Sequence, residues 1–243
     1  MSRSPNSLLA SLSYADFELL RPHLQTVDLM SADLLCRAGD ALERVYFPHS
    51  GVISLVVCLT SGGAIEAASM GKDSVFGAHA ALDGRMTHSD AIVHLSGVAS
   101  AVDITDIAGA VAQSSPLRST LIRHERALFA QAQQSAACNA SHTVEARLSR
   151  WLLRMRDLSG NDTFELTQEF LAQMIGMRRS SVPIVAYTLQ RAGLLRYRHG
   201  MIEITNLDGL VDSSCECYEA VKAQYDRLLY PEQSGRGAGR PSS

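Results

Sequence analysis

The sequence lacks what a disulfide framework, a membrane span or a hydrolytic site would need. Its five cysteines, Cys36, Cys58, Cys138, Cys215 and Cys217, are an odd number at irregular spacings. That pattern suits a reducing compartment and excludes a disulfide scaffold. The longest apolar run, residues 52–59, stops far short of the roughly 20 residues that cross a bilayer, and no leading stretch has a signal-peptide pattern. A cytoplasmic protein with no membrane partner is expected. No G-x-S-x-G elbow, Walker loop, HExxH run or paired CxxC is present, so no catalytic residues are assigned and no enzyme is expected. What is present is 46% hydrophobic and 19% charged residues over 243 positions, which excludes a disordered chain and fits one large or two modest domains.

Charge is unevenly placed. Residues 1–116 carry 6 Lys/Arg against 12 Asp/Glu, so that half repels phosphate. Residues 163–200 hold Arg178, Arg179, Arg191, Arg196 and Arg198 against only Glu165 and Glu169. An acidic half joined to a basic module predicts a division of labour.

Leu8, Leu12, Phe17, Leu20 and Leu24 recur at helical intervals with Ser13 as an N-cap, so one or two short helices open the chain. From about residue 27 to 107 the pattern changes to short apolar runs, at 34–35, 45–47, 52–59, 64–69, 91–95 and 98–102, separated by glycine turns. These read as the strands of a sandwich or jelly roll. Residues 117–138 contain no Gly or Pro and place Leu117, Leu121, His124, Leu128, Gln131, Ser135 and Cys138 at alternating steps of three and four. One long helix follows, and its seam, flanked by small alanines, is read as a dimer interface. The alternative is a helix packed on its own β domain. Thr143 then caps a helix to about residue 158, with Val144, Leu148, Trp151, Leu152 and Met155 on one face.

Thr167 caps a helix over 168–174, Gly176 breaks it, and a second helix runs from about 180 to 192. Residues 194–198 and 201–205 pair across His199-Gly200, which completes a winged helix-turn-helix pattern. The fold class is therefore α+β: an N-terminal β roll of jelly-roll type over 1–116, a dimerisation helix over 117–142, a winged helix-turn-helix over 143–230, and a Gly/Ser/Arg/Pro-rich disordered tail over 231–243.

This order, with Ala38-Gly39-Asp40, Val45-Tyr46-Phe47 before Ser50-Gly51, residues 71–77 reading Gly-Lys-Asp-Ser-Val-Phe-Gly, residues 136–140 reading Ala-Ala-Cys-Asn-Ala, the run 144–153, and Cys215-Glu216-Cys217-Tyr218, resembles the Crp/Fnr superfamily of bacterial transcription regulators over roughly residues 8–225. The resemblance implies a cyclic-nucleotide-binding-like roll, a homodimer, promoter DNA and RNA polymerase as partners, and an effector that biases the hinge at residues 139–143. Cyclic-AMP-binding members carry a Gly-Glu-Leu turn and a later Arg-Ser or Arg-Thr pair. Here those places read Gly77-Ala78-His79 and His88-Ser89, and a mostly neutral histidine is a poor substitute for a bidentate arginine. Cyclic nucleotide is not expected. Iron–sulfur members need four clustered cysteines, and residues 1–35 contain none, so no iron–sulfur cluster is expected.

The DNA-reading chemistry is concentrated in a few side chains. Arg178, Arg179, Ser180 and Ser181 stand at the start of the second helix, where arginine reads guanine or phosphate and the helix dipole attracts anions. Thr167 and Gln168 anchor the backbone from the preceding helix, and Arg196, Arg198 and His199 form the wing. The Glu and Arg that familiar members use to read bases are replaced by Ser180 and Ile184, so a different operator is expected. With Ser180 as N-cap, Pro183 lies in the first turn, where its missing N–H costs little, so the reading helix starts late or bends.

The candidate effector residues are Gly77, His79, His88, Ser89, Ala132 and Gln133. Cys138 and His142 lie four apart and Cys215/Cys217 form a CxC pair, but the spacing alone favours packing over a metal or redox site. No metal and no cofactor are expected. Trp151 reads as a core residue at the junction with the DNA-reading module. The function expected is a dimeric DNA-binding regulator with an altered effector pocket; the alternative is a redox- or ligand-responsive sensor whose winged helix mainly contacts proteins.

Overall fold

The computed structural model describes residues 4–229 apart from Ser61, Asp83 and Arg85. The 231–243 tail lies outside the described residues. Two short helices, α1 (Ser7–Ser11) and α2 (Tyr14–Leu20), open the chain; Asn6 and Ser13 cap them by accepting from the Leu9 and Asp16 N–H groups. Seven strands follow: β1 (Gln25–Leu29), β2 (Leu34–Cys36), β3 (Arg44–Pro48), β4 (Val52–Cys58), β5 (Ala64–Met70), β6 (Asp90–Leu95) and β7 (Gly97–Asp103), with helix α3 (Ala78–Leu82) between β5 and β6. They form two antiparallel sheets, β1-β7-β3 and β2-β6-β4-β5, an order that the apolar runs alone did not give. The tight β4-β6 crossing depends on Gly51, whose φ is +78° and whose added Cβ would lie 2.5 Å from the Leu95 carbonyl oxygen.

Helices α4 (Ile104–Gln113) and α5 (Ser115–Ser141) come next. The strand pattern was expected to run to about residue 107, so α4 was not anticipated; its start is set by the end of β7 at Asp103. Ser114 caps α5 through the Leu117 N–H, and His142 ends it. α6 (Val144–Ser159) begins at the Thr143 cap and ends at Gly160, φ +74°. The winged domain then contains β8 (Thr163–Glu165), α7 (Gln168–Met174), α8 (Val182–Arg191), β9 (Leu195–Arg198) and β10 (Met201–Ile204), the three strands ordered β8-β10-β9. α9 (Leu207–Asp212) and α10 (Cys217–Leu229) close the described chain.

α10 changes the meaning of the long helix. Its Val221, Tyr225 and Leu228 are buried in the same core as the β roll and as Leu117 and Leu121 of α5. The Gln131 amide meets the Tyr225 hydroxyl at 2.9 Å, and His124 Nε2 accepts the Val75 N–H at 3.2 Å. Leu117, Leu121, His124, Gln131, Ser135 and Cys138 are thus buried within one chain, and Leu128 is half-buried against the roll. The seam expected to meet a second copy is covered by the chain's own roll and last helix, which is the alternative the pattern left open. The outward face of α5 instead carries half-buried Ile122 and exposed Arg126, Phe129, Gln133 and Ala137, with Phe129 64% exposed.

The winged domain docks on the four-stranded sheet. Val52 and Val56 of β4 share a core with Trp151, Leu152, Leu171 and Met174. The Trp151 indole donates to Glu66 Oε1 on β5, and the His94 and Phe170 rings meet edge to face at 4.0 Å. Among the described residues no helix is long and apolar enough to cross a membrane.

Candidate nucleic-acid interface

The reading helix starts late, with Ser181 and not Ser180 at its cap position. Thr167 Oγ1 accepts the Phe170 N–H at 3.2 Å and starts α7, with Gln168 as its first residue. After α7, Gly176 turns the chain at φ +60°, a left-handed conformation that suits glycine. Arg178 then leads a 3₁₀ turn, Arg179–Ser181, by accepting the Ser181 N–H at 2.9 Å. α8 begins only at Val182, so Pro183 falls in its first turn, where the missing N–H has no partner to lose.

One side of α8 is core and the other faces outward. Val182, Val185, Ala186 and Leu189 are buried, whereas Ser180, Pro183, Ile184, Tyr187, Thr188 and Arg191 are exposed. Ile184 and Tyr187 are 67% and 60% exposed, so large apolar surface stands in water where the core already has its share. Sequence reasoning concentrated on the arginines and missed Tyr187, Thr188 and Arg191; the helical spacing from Ser180 carried that signal. The Arg191 guanidinium lies 5.9 Å from the centre of the Tyr187 ring.

Arg178 and Arg179 are exposed beside this face, and Arg179 pairs with Glu169 at 3.5 Å, an exposed contact that holds it weakly. The wing turn is a two-residue hairpin in which His199 and Gly200 have φ of +51° and +79°, and Arg198 pairs with Met201 across it. Arg196 reaches Glu203 at 2.8 Å, while Arg198 and His199 are exposed. The expected DNA-binding residues therefore lie on three neighbouring pieces of one domain: the α7 start, the turn into α8, and the wing.

The candidate effector residues divide differently. A cavity of about 450 Å³ in the roll is lined by Gly77, His79, His88 and Ser89 together with Phe76, Leu82, Met86, Glu125 and Leu128. Ala132 and Gln133 lie outside that lining, and Gln133 is exposed. Among the described residues no Lys or Arg lines the cavity. Burial lowers the His79 pKa, and among the described residues His79 Nε2 has no hydrogen-bond partner, while Glu125 Oε1 lies 3.5 Å from His124 Nδ1.

At the far end of α5 the structure joins the two cysteine-bearing pairs whose spacing alone favoured packing. Cys138, His142, Cys215 and Cys217 come together where α5, α6 and α10 meet. The two spacings hinted at each pair but not at their meeting, because the loop after α9 that brings Cys215 back is fixed by tertiary packing.

Residues 146–213 match the family model of Crp-like helix-turn-helix domains. No curated protein matches the chain in sequence. Among solved structures the chain is similar to FixK2 from Bradyrhizobium japonicum, at 16% identity over 79% of this chain and 98% of that one, with a TM-score of 0.67. It is also similar to TTHA1359, a Crp/Fnr-family transcriptional regulator from Thermus thermophilus, at 21% identity over 78% and 98%, TM-score 0.64. A third is the c-di-GMP-responsive global regulator CLP of Xanthomonas campestris, at 14% identity over 80% and 100%, TM-score 0.64. The chain thus has the fold of Crp/Fnr regulators, with a Crp-like helix-turn-helix domain, as the resemblance implied.

Proposed function

We propose that this chain, built on the Crp/Fnr-regulator fold, is a homodimeric transcription regulator of the cytoplasm that seats α8 in the major groove of a two-fold-related promoter site and acts on RNA polymerase. The observation that carries the reading is the outward face of α8: exposed Arg178 and Arg179 at its N-terminal approach, the wing arginines beside it, and a buried opposite face that fixes its orientation. Phosphates are held by Arg178, Arg179, Ser180, Ser181, Arg196 and Arg198, with Thr167 and Gln168 at the α7 start. Base contact falls to Ile184, Tyr187, Thr188 and Arg191. An exposed apolar Ile184 suits a thymine methyl better than a hydrogen-bonding edge, so the operator carries A·T pairs at that step.

Dimerisation is assigned to the uncovered stripe of α5, where Ile122, Arg126, Phe129, Gln133 and Ala137 recur at steps of three and four. Two copies joined there present their reading helices about 34 Å apart. The 450 Å³ cavity is the effector site of this reading. Its mainly apolar lining, into which His79 brings a ring nitrogen with no hydrogen-bond partner among the described residues, suits a small, mainly apolar molecule with one hydrogen-bonding group.

Fluorescence anisotropy of the full chain on DNA from its own upstream region, at two salt concentrations with scrambled competitor, tests the reading. Selective binding with a steep salt dependence is expected. Equal binding to specific and scrambled DNA, both with and without candidate effectors, overturns it in favour of a protein-contacting winged helix.

A further inference from the structure

Four potential metal ligands from two distant stretches of sequence meet in one buried place. Cys138 lies in the last turn of α5 and His142 is its C-cap; Cys215 sits in the loop after α9 and Cys217 opens α10. Their ligand atoms all lie within 4.8 Å of one another, and the three cysteines are buried. Cys138 Sγ is 3.5 Å from Cys215 Sγ, and Cys217 Sγ is 3.6 Å from His142 Nδ1. A tetrahedral zinc centre, with Zn–S near 2.3 Å and Zn–N near 2.0–2.1 Å, has ligand-to-ligand edges of roughly 3.5–3.8 Å. The side chains need little movement to close on an ion.

We propose that Cys138, His142, Cys215 and Cys217 bind one Zn²⁺-class divalent cation in a closed Cys₃His site that staples the C-terminal helix to the hinge end of the long helix. Three thiolates and an imidazole favour a borderline-soft ion over calcium or magnesium. Four protein ligands leave no open position, so the site is structural and not catalytic.

The surroundings fit the same ion. His142 Nε2 lies 3.1 Å from Glu216 Oε1, so its N–H donates to a carboxylate and the Nδ1 lone pair is left toward Cys217; this is the outer partner that metal-bound histidines ordinarily have. Gln134 Nε2 donates to Cys217 Sγ at 2.9 Å. A dication with three thiolates carries one net negative charge, and the buried guanidiniums of Arg147 and Arg150 act electrostatically on Cys138 from α6. Their Nε atoms have no hydrogen-bond partner among the described residues. Cys36 and Cys58 lie in the roll and take no part.

The site spans the helix break at residues 142–143, where the long helix hands over to α6. Metal occupancy therefore stabilises the docking of α10 on α5 and fixes that break. The staple stands independently of the DNA-binding reading.

Titration of the reduced full chain with Co²⁺, followed by displacement with Zn²⁺, tests it. One Co²⁺ per chain with thiolate charge-transfer and intense tetrahedral d–d bands is expected, with a higher melting temperature when Zn²⁺ is present. C138S and C215S lose the bands, whereas C36S and C58S keep them. Glu216→Gln, which leaves all four ligands, lowers affinity about 10- to 100-fold. Absence of the bands at one equivalent, bands that survive the C138S/C215S double variant, a melting temperature indifferent to Zn²⁺, or a Cys138–Cys215 disulfide in chain purified without oxidant and unable to bind Co²⁺ each overturns the proposal. Loss of DNA binding with the cobalt spectrum intact counts against the function above and leaves the staple standing.

Discussion

The Trp151 indole N–H donates to Glu66 Oε1 at 3.0 Å, across the boundary between the helix that leads into the winged domain and the outer sheet of the roll. Both residues are buried, and the other Glu66 oxygen accepts the Ser54 hydroxyl. Burial raises the Glu66 pKa above its ordinary 4.5 despite nearby Arg150 and Arg154, so the folded chain holds the proton more tightly than the unfolded one. The stability Glu66 contributes is therefore fullest below pH 4.5 and is lost as pH rises through the folded value. Glu66→Gln keeps the acceptor for Trp151 and removes this dependence; Glu66→Leu leaves the indole N–H unpaired at a cost of about 1–3 kcal/mol. Urea melts followed by the fluorescence of Trp151, the single tryptophan, check both outcomes.

His94 lies on the same boundary and carries the opposite sign. Burial lowers its pKa from 6.5 to about 3, and its Nε2 has no hydrogen-bond partner among the described residues. The unfolded chain binds the proton first, so stability is full above pH 6.5 and is lost as pH falls toward 3, by up to about 1.4 kcal/mol per pH unit. His94→Leu flattens that window in melts at pH 5 and pH 7. A slope unchanged by the substitution would place the acid sensitivity elsewhere.

Arg178 and Arg179 are exposed and lightly held, so their replacement by alanine spares the fold. Each substitution is expected to weaken binding to all sequences and to reduce the salt slope by about one, which anisotropy at several salt concentrations measures. Ile184→Ala should instead relax selectivity at one operator position with the slope unchanged.

The two faces of α5 give contrasting outcomes. Phe129→Glu on the exposed face is expected to produce monomers in sedimentation velocity with an unchanged melt. Leu121→Ala, on the buried seam, is expected to cost about 2–5 kcal/mol of folding stability. If L121A splits the dimer and F129E does not, the assignment of faces is reversed.

Local chemistry was legible in the sequence. The caps at Ser13, Thr143 and Thr167 and the two-residue turn at His199-Gly200 depend on side chain and backbone within a few residues, and each stands where the pattern placed it; the reading helix begins only at Val182, with Ser181 and not the expected Ser180 at its cap position. Six of the roll's seven strands follow from apolar runs between glycine turns for the same reason, and so did the order of roll, long helix and winged domain; β1, with only Val27 and Leu29 apolar, lay outside those runs. Beyond that order, periodicity shows which side of a helix is apolar and never what covers it. The α5 seam was visible, but its partner was decided by α10 folding back so that Val221, Tyr225 and Leu228 enter the roll's core. Convergence has the same limit. His79 and Glu125 reach one cavity, and Cys138 and His142 meet Cys215 and Cys217 across more than seventy residues, because packing of whole helices, driven by burial of their apolar faces, fixes distances that no local spacing encodes.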